Sequence, residues 1–234
     1  MNELERVEAA ALRDAVLLAG GRAELVGGAL CVAHEGMPIR ELNRAMPVGE
    51  AVDLAAIAAW YGGAPHMVAT TLHFDQPGYT RGAPWQKFER GVDPAPEAAT
   101  DLEVVETAQA ESFGLAAAEG SGLPPETATA LAAIVGAPGW HCFLALAAGE
   151  PAGAGALYVD GTSAWLGIGA TRPSFRRRGA QSALLAARID RARSLGATLL
   201  TTETGAEDPG PSYRNIERAG FRPAYVRANW LSPA

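Results

Sequence analysis

Residues 176 to 182 run Arg176-Arg177-Arg178-Gly179-Ala180-Gln181-Ser182. Three guanidinium groups ahead of a glycine and a small residue make an anion-binding pattern. A helix that starts here leaves about four backbone N–H groups without partners, and its dipole puts partial positive charge at the same end. Gly179 and Ala180 carry little bulk, so a ligand can approach the backbone. The arginines add mobile charge, each charge-assisted hydrogen bond contributing roughly 1.5–3 kcal/mol. The expected ligand is a phosphate or diphosphate. Neither G-x-x-x-x-G-K-[ST] nor G-x-G-x-x-G occurs in the chain, which excludes a nucleoside-triphosphate P-loop and the dinucleotide fingerprint.

The flanking elements must present this turn. Trp165, Leu166 and Ile168 in an uncharged run predict a strand ending near Thr171. Leu185, Ile189, Ala192 and Leu195 share one helical face behind the turn, with Arg188, Asp190, Arg191 and Arg193 mostly elsewhere on the wheel, and Gly196 ends the helix. Upstream, the pattern predicts a strand over 101–106, a helix over 107–119, and a second helix from Pro124-Pro125 to near Gly136. Strands over 142–148 and 152–159 follow, and Asp160-Gly161 turns into the strand at 162–171. Downstream come a strand over 197–203 and a helix over 209–219, with Asp208 as N-cap and Pro209 at its first position. A final strand segment leads from Gly220-Phe221 to Trp230.

The Pro- and Ala-rich stretch 92–99 reads as a linker, dividing the chain into residues 1–95 and 100–234. In the first part the expectations are a helix over 3–18, a strand over 25–33 around Gly27-Gly28, and a loop over 34–52. A helix over 54–61 follows, capped by Asp53 and ended by Gly62-Gly63, then a strand over 66–74 and a turn at Pro77-Gly78-Tyr79. The order echoes the second part, with Gly78-Tyr79 parallel to Gly220-Phe221 and Trp85 to Trp230. Its loop, Arg44 to Val52, lacks the basic glycine turn. A degenerate copy of one unit is expected here, holding no cofactor; an unrelated α/β lobe is the alternative.

At 234 residues and 48% hydrophobic the chain can bury a substantial core, and its net charge of −7 argues against non-specific nucleic-acid binding. Cys31 and Cys142 have no C-x-x-C partner and read as reduced, buried residues. Glu3, Glu5 and Glu8 stand where a signal peptide would be basic, so a cytoplasmic location is expected. The uncharged runs 54–74 and 127–149 are long enough to span a bilayer, but their internal Gly, Pro and His residues predict helix, turn and strand of a core instead. His34, His66 and His73 show no metal-ligand spacing, and His73 with Asp75 is a chance pattern, so no metal is expected. Met37, Met46 and Met67 read as core. Among the tryptophans Trp140 and Trp165 could line a pocket.

The turn resembles the diphosphate loop of the Gcn5-related N-acetyltransferases (GNAT), whose pattern is [Q/R]-x-x-G-x-[G/A] after a strand, with a proline three residues ahead. Arg176-Arg-Arg-Gly179-Ala-Gln181 with Pro173 is similar to it, except that Gln181 replaces the usual small residue. Ala219-Gly220-Phe221 resembles the family's small-Gly-Phe, and the order β-α-α-β-β-β-α-β-α-β matches over about 130 residues. The resemblance implies a mixed α/β sheet of the GNAT type and acetyl-CoA as co-substrate, lying where the fourth and fifth strands splay. Backbone groups of Gly169, Ala170 and Thr171 would bind the pantetheine, and amides of Arg177 to Ser182 the diphosphate, with Arg176, Arg177 and Arg178 adding charge. An amine would attack the thioester directly.

The family's usual acid, a tyrosine four residues before the Gly of Gly-Phe, falls on Ile216, and its asparagine near the start of that helix falls on Pro209. Tyr213 is a candidate acid in its stead, although three residues along a helix is a rotation of about 60° away. Ser212 and Asn215 are candidate contacts to the coenzyme arm. Glu203, at the end of the fifth strand, is the candidate base, with His141 as a second. Two functions stay open: acetyl transfer to a small-molecule or protein amine held between the lobes, and coenzyme binding or sensing without transfer. A partner-binding protein that keeps only the fold is a third. The acceptor is not legible, and a homodimer stays open.

Overall fold

The computed structural model describes all residues except 36–38, 41, 73–77, 207–209 and 234. Expectations at Gly36, Met37, Pro38, His73, Asp75, Pro77, Asp208 and Pro209 therefore lie outside the described residues. Among the described residues six α-helices flank one mixed sheet of twelve strands.

The first part opens with α1 (Glu3–Leu18), capped by the Asn2 side chain, which accepts from the Glu5 amide at 3.0 Å. The run 25–33 is a hairpin rather than one strand: β1 (Arg22–Val26) and β2 (Ala29–Ala33) turn at Gly27-Gly28, both at positive φ. Within the expected loop 34–52 lies a short strand, β3 (Arg44–Pro47), antiparallel to β2. Next comes α2 (Leu54–Tyr61), capped by Asp53 accepting from Ala56 N at 3.0 Å and closed by Gly62 in the left-handed region. It crosses over to β4 (Met67–Thr70), parallel to β3. The short β5 (Thr80–Arg81) and β6 (Trp85–Arg90) complete the part.

The second part follows the expected order. It comprises β7 (Glu103–Glu106), α3 (Ala110–Ser121), a 3-10 turn leading into α4 (Ala128–Ala132), β8 (Trp140–Ala147), β9 (Glu150–Asp160) and β10 (Ser163–Thr171). Then come α5 (Ala180–Ser194), β11 (Leu199–Gly205), α6 (Pro211–Arg218) and β12 (Arg222–Leu231). The uncharged runs 54–74 and 127–149 resolve into α2 with β4 and α4 with β8. Among the described residues no helix is long and apolar enough to cross a membrane.

Strand order is the feature that sequence patterning did not convey. It runs β1-β2-β3-β4-β12-β6-β11-β10-β9-β8-β7, with β5 beside β12. In each part a parallel pair joined by a helix, β3–β4 or β10–β11, is followed by an antiparallel strand that the other part supplies. Thus β12 pairs with β4, β6 pairs with β11, and β6 and β12 pair with each other at the centre.

Alternation along the strands divides the core. One face packs α1, α3 and α4 over Val32, Met46, Leu144, Ala156 and Trp165. On the other face α5 and α6 lie over Phe88, Leu157, Leu166 and Leu200, and α2 lies over Cys31, Ala45 and Val68. Both cysteines are free and buried.

A buried charge cluster ties the exchanged strands together. Glu8 on α1, fully buried, accepts from Arg44 Nη1 on β3 at 2.5 Å, from Lys87 Nζ on β6 at 2.8 Å and from Arg227 on β12 at 2.5 and 3.0 Å. Burial acts to raise the Glu8 pKa, but Arg227, Lys87 and Arg44 outweigh it and hold the carboxylate well below the usual range. Removing the shared anion leaves three buried cations facing one another. Glu8→Gln should lower the unfolding free energy by about 3–5 kcal/mol in urea titrations. The folded pKa is depressed, so this contribution is present above about pH 4.5 and is lost as pH falls through the folded value. A difference under about 1 kcal/mol near neutrality would contradict the assignment.

Candidate functional site

Strands β10 and β11 pair in parallel only at Ser163–Leu199, Ala164–Leu200 and Trp165–Thr201, and then part. On its other edge β10 carries a bulge: Gly167 faces Ala156 and Ala170 faces Ala154, so Ile168 and Gly169 stand opposite Gly155 alone. Ile168 takes φ 52°, a strained value for a β-branched residue. Gly167 must lack a side chain, because a β-carbon there would lie 2.0 Å from the Trp165 indole. The bulge turns β10 away from β11 and leaves their polar edges facing a cleft.

Two cavities meet in that cleft. The first, about 930 Å³, is lined by Gly169, Ala170, Thr171, Arg176, Arg177 and residues 179–182, with Ser212 and Asn215 on α6. The first ladder bond of α5 is Ala183 N–H to Gly179 O at 3.0 Å, so the amides ahead of it stand outside the helix pattern. Among the described residues the Arg176 and Arg177 side chains have no partner, and both residues are exposed. The Thr171 hydroxyl oxygen is buried without a hydrogen bond. Open amides, free guanidiniums and an unsatisfied hydroxyl along one groove fit a coenzyme with a diphosphate and an amide-bearing arm.

Other details depart from the sequence expectation or add to it. Arg178 does not line this groove; it is ion-paired with Asp101, and its carbonyl accepts from Thr100 Oγ1 at 2.6 Å. Gly179, at φ 82°, lines the groove and has a further reason to be small: a β-carbon there would sit 2.4 Å from Ala99 O. The stretch 96–99, read as a linker, is thus a wall of the groove. Gln181, in the first turn of α5, donates Nε2–H to Gly169 O on β10 at 2.8 Å, across the junction of the two cavities.

The second cavity, about 570 Å³, is lined by Trp165 to Gly169, Thr202 to Gly205, Arg188 and Ile216, with Ile39, Leu42 and Trp85 from the first part. Glu203 reaches it. Its carboxylate accepts from Lys87 Nζ at 2.8 Å and from Trp165 Nε1 at 3.3 Å. Burial and then the Glu8 charge raise its pKa; Lys87, Arg227 and Arg44 oppose them, and the balance leaves it above the usual carboxylate value.

The structure does not bring the other catalytic candidates here. Tyr213 packs edge-to-face on Phe88, ring centroids 4.9 Å apart, and lines neither cavity. His141 bonds Glu106 at 2.7 Å on the far side of β8, and the Trp140 indole N–H donates to Asp14 at 2.7 Å within the core. Sequence reasoning also missed Lys87 and Arg188. Arg188, expected off the apolar face, is 2% exposed. Its four-residue spacing between the buried Leu184 and Ala192 was the available signal.

A family model described as acetyltransferase (GNAT) family matches residues 105–221. The fold is shared with a GCN5-related N-acetyltransferase from Kribbella flavida, at 18% identity, TM-score 0.70, covering 100% of this chain and 97% of that one. A GCN5-related N-acetyltransferase from Sphaerobacter thermophilus is similar at 15% identity and TM-score 0.64, over 88% and 80% of the two chains. A tandem GNAT protein from the clavulanic acid biosynthesis pathway is similar at 16% identity and TM-score 0.56, over 88% and 78%. No curated protein matches the chain in sequence. With the matching model spanning half of the chain, and the splayed strands and the α5 turn lying within it, the chain belongs to the GNAT acetyltransferase family.

Proposed function

We propose that the protein transfers an acetyl group from acetyl-CoA to a primary amine of a small molecule or protein, by direct attack. The observation that carries this reading is the continuity of the two cavities across Gly169, Gln181, Ser212 and Asn215, with a diphosphate-binding helix end on one side and Glu203 on the other. Bound acetyl-CoA would supply the activated thioester.

In this reading the amides of residues 179–182 and the side chains of Arg176 and Arg177 hold the diphosphate. The open edge of Gly169, Ala170 and Thr171 takes the pantetheine. Gln181 must release the Gly169 carbonyl for that edge to open fully. Glu203 takes the proton from the amine. A base is most effective when its pKa approaches the working pH, and burial moves Glu203 in that direction. Among the described residues no tyrosine lines either cavity. A thiol with an ordinary pKa near 8.5 leaves readily as thiolate, so solvent suffices to reprotonate it.

Residues 1–95 read as a degenerate copy of residues 100–234. The exchanged β6 and β12 and the matched parallel pairs support this. So does α2, whose N-terminus holds the Asp53 carboxylate where α5 presents open amides. A carboxylate there repels phosphate, which leaves one coenzyme site.

A second reading, coenzyme binding without transfer, is favoured by Ile216, which lines the acceptor cavity at the position of the family's usual acid. Thiol release over an amine panel separates the two readings. Under the first, Glu203→Gln should lower kcat about 100-fold with unchanged acetyl-CoA affinity by calorimetry. It should also remove the acidic limb of the kcat profile, a limb that the raised pKa places above pH 4.5 in the parent protein. Arg176→Ala with Arg177→Ala should weaken acetyl-CoA binding roughly 10- to 100-fold at low salt and less at high salt. Gln181→Ala should tighten it roughly 2- to 10-fold by freeing the Gly169 carbonyl. Unchanged affinity in both the double-arginine variant and the glutamine variant would remove the groove as the coenzyme site.

A further inference from the structure

Arg188 is a buried cation without an anion. It lies on α5 at 2% exposure, and among the described residues no carboxylate pairs with it. Its Nε donates to Leu184 O at 2.9 Å, and Nη1 donates to Gly167 O at 2.9 Å and Ala156 O at 3.2 Å. These bonds hold the carbonyl of Gly167 at the start of the bulge. They leave Nη2, which has no hydrogen-bond partner among the described residues. Nη2 lies 3.4 Å from where a β-carbon on Gly169 would stand, at the wall of the second cavity that Arg188 lines.

Burying a guanidinium without a counter-ion is costly, and burial alone moves its pKa down to about 10, so it stays charged at neutral pH. A role confined to pinning the bulge needs carbonyl contacts, which a neutral amide could also make, and does not need the charge. Leu166, Leu185 and Ile216 line the cavity with Thr202, Thr204 and Ser212, and a buried charge in that wall has strong leverage on which ligand enters. The diphosphate-binding turn belongs to the neighbouring groove, and this cavity is of small-molecule size. Glu203 stands in the same cavity as the anion that receives an amine.

We propose that Arg188 binds a carboxylate in the transfer cavity, so that one of the two reacting substrates is a carboxylic acid. This rests on the acetyltransferase reading for the identity of the cavity, but not for the charge that lines it. The carboxylate has two sources. On the acceptor, it makes the substrate an amino acid, amine toward Glu203 and carboxylate toward Arg188. On the donor, it makes the acyl group a dicarboxylic half-thioester.

The test uses the full chain. In the acceptor arm, ω-amino acids of increasing length are compared with alkylamines of the same length, with acetyl-CoA as donor. In the donor arm, succinyl-CoA is compared with butyryl-CoA on one neutral alkylamine. A kcat/KM preference of about tenfold or more for the carboxylate form in either arm is expected, and the arm that shows it identifies the source. A smaller ratio in both arms overturns the proposal. Arg188→Lys should retain part of the preference and Arg188→Met should lose it. If the variants do not fold, the comparison on the parent protein still decides. Calorimetric titration of the same ω-amino acids and alkylamines, and of glutarate, with and without CoA, gives a readout independent of turnover. Absence of thiol release with selective carboxylate binding would sink the transfer reading alone. Equal weak binding of all probes, with turnover intact and unselective, would sink the carboxylate site alone.

Discussion

Strands β10 and β11 bond to each other over three residue pairs and then separate, and the separation exposes backbone groups that a continuous sheet would satisfy internally. An open edge of this kind inside a covered sheet must be filled by water or ligand. The bulge at Ile168-Gly169 makes the parting permanent. A positive φ at an isoleucine costs roughly 1–3 kcal/mol and persists only where the surroundings over-determine it. Here they do: the Trp165 ring occupies the space beside Gly167, and Arg188 grips the Gly167 carbonyl from below. The α5 terminus then opens onto the same cleft because the chain leaves β10 beyond the bulge.

Much of this was legible in the sequence, for identifiable reasons. The turn at 176–182, the α5 face and the caps Asp53 and Gly62 are local signals, carried by residue type and spacing within one or two helical turns. The pairing of β6 with β11 is not local. Trp85 to Arg90 is mostly polar in type yet mostly buried, and nothing in its six residues encodes a partner that begins 109 positions later, at Leu199. The same limit hid Lys87. A lysine in a strand reads as solvent-facing unless the two carboxylates that neutralise it are known, and Glu8 and Glu203 come from opposite ends of the chain.

Gln181 and Gly179 show a subtler gap. The motif placed both residues on the turn but did not convey the packing that each one meets there. Gly179 is small because Ala99 packs against it, a contact made by a segment whose composition reads as linker. Gln181, a departure from the family pattern, has a use in this chain: its amide covers the Gly169 carbonyl and keeps it hydrogen-bonded. A motif states which residue types are tolerated at a position, and packing decides which physical demand each one meets.

The exchange of β6 and β12 has a consequence for electrostatics. Glu203 sits at the end of an interior strand, where desolvation alone would drive it to the neutral acid. A nearby cation must hold it ionisable, yet one isolated cation in that position would pair with it completely and suppress its basicity. Lys87 avoids both extremes by dividing its charge between Glu203 and Glu8, while Glu8 is itself held by Arg44 and Arg227. Four side chains from α1, β3, β6 and β12 therefore set the proton affinity of one carboxylate on β11. Since α1, β3 and β6 belong to the first part of the chain, that part still sets the electrostatics of a carboxylate in the second, through the strand it lends and the charges it buries.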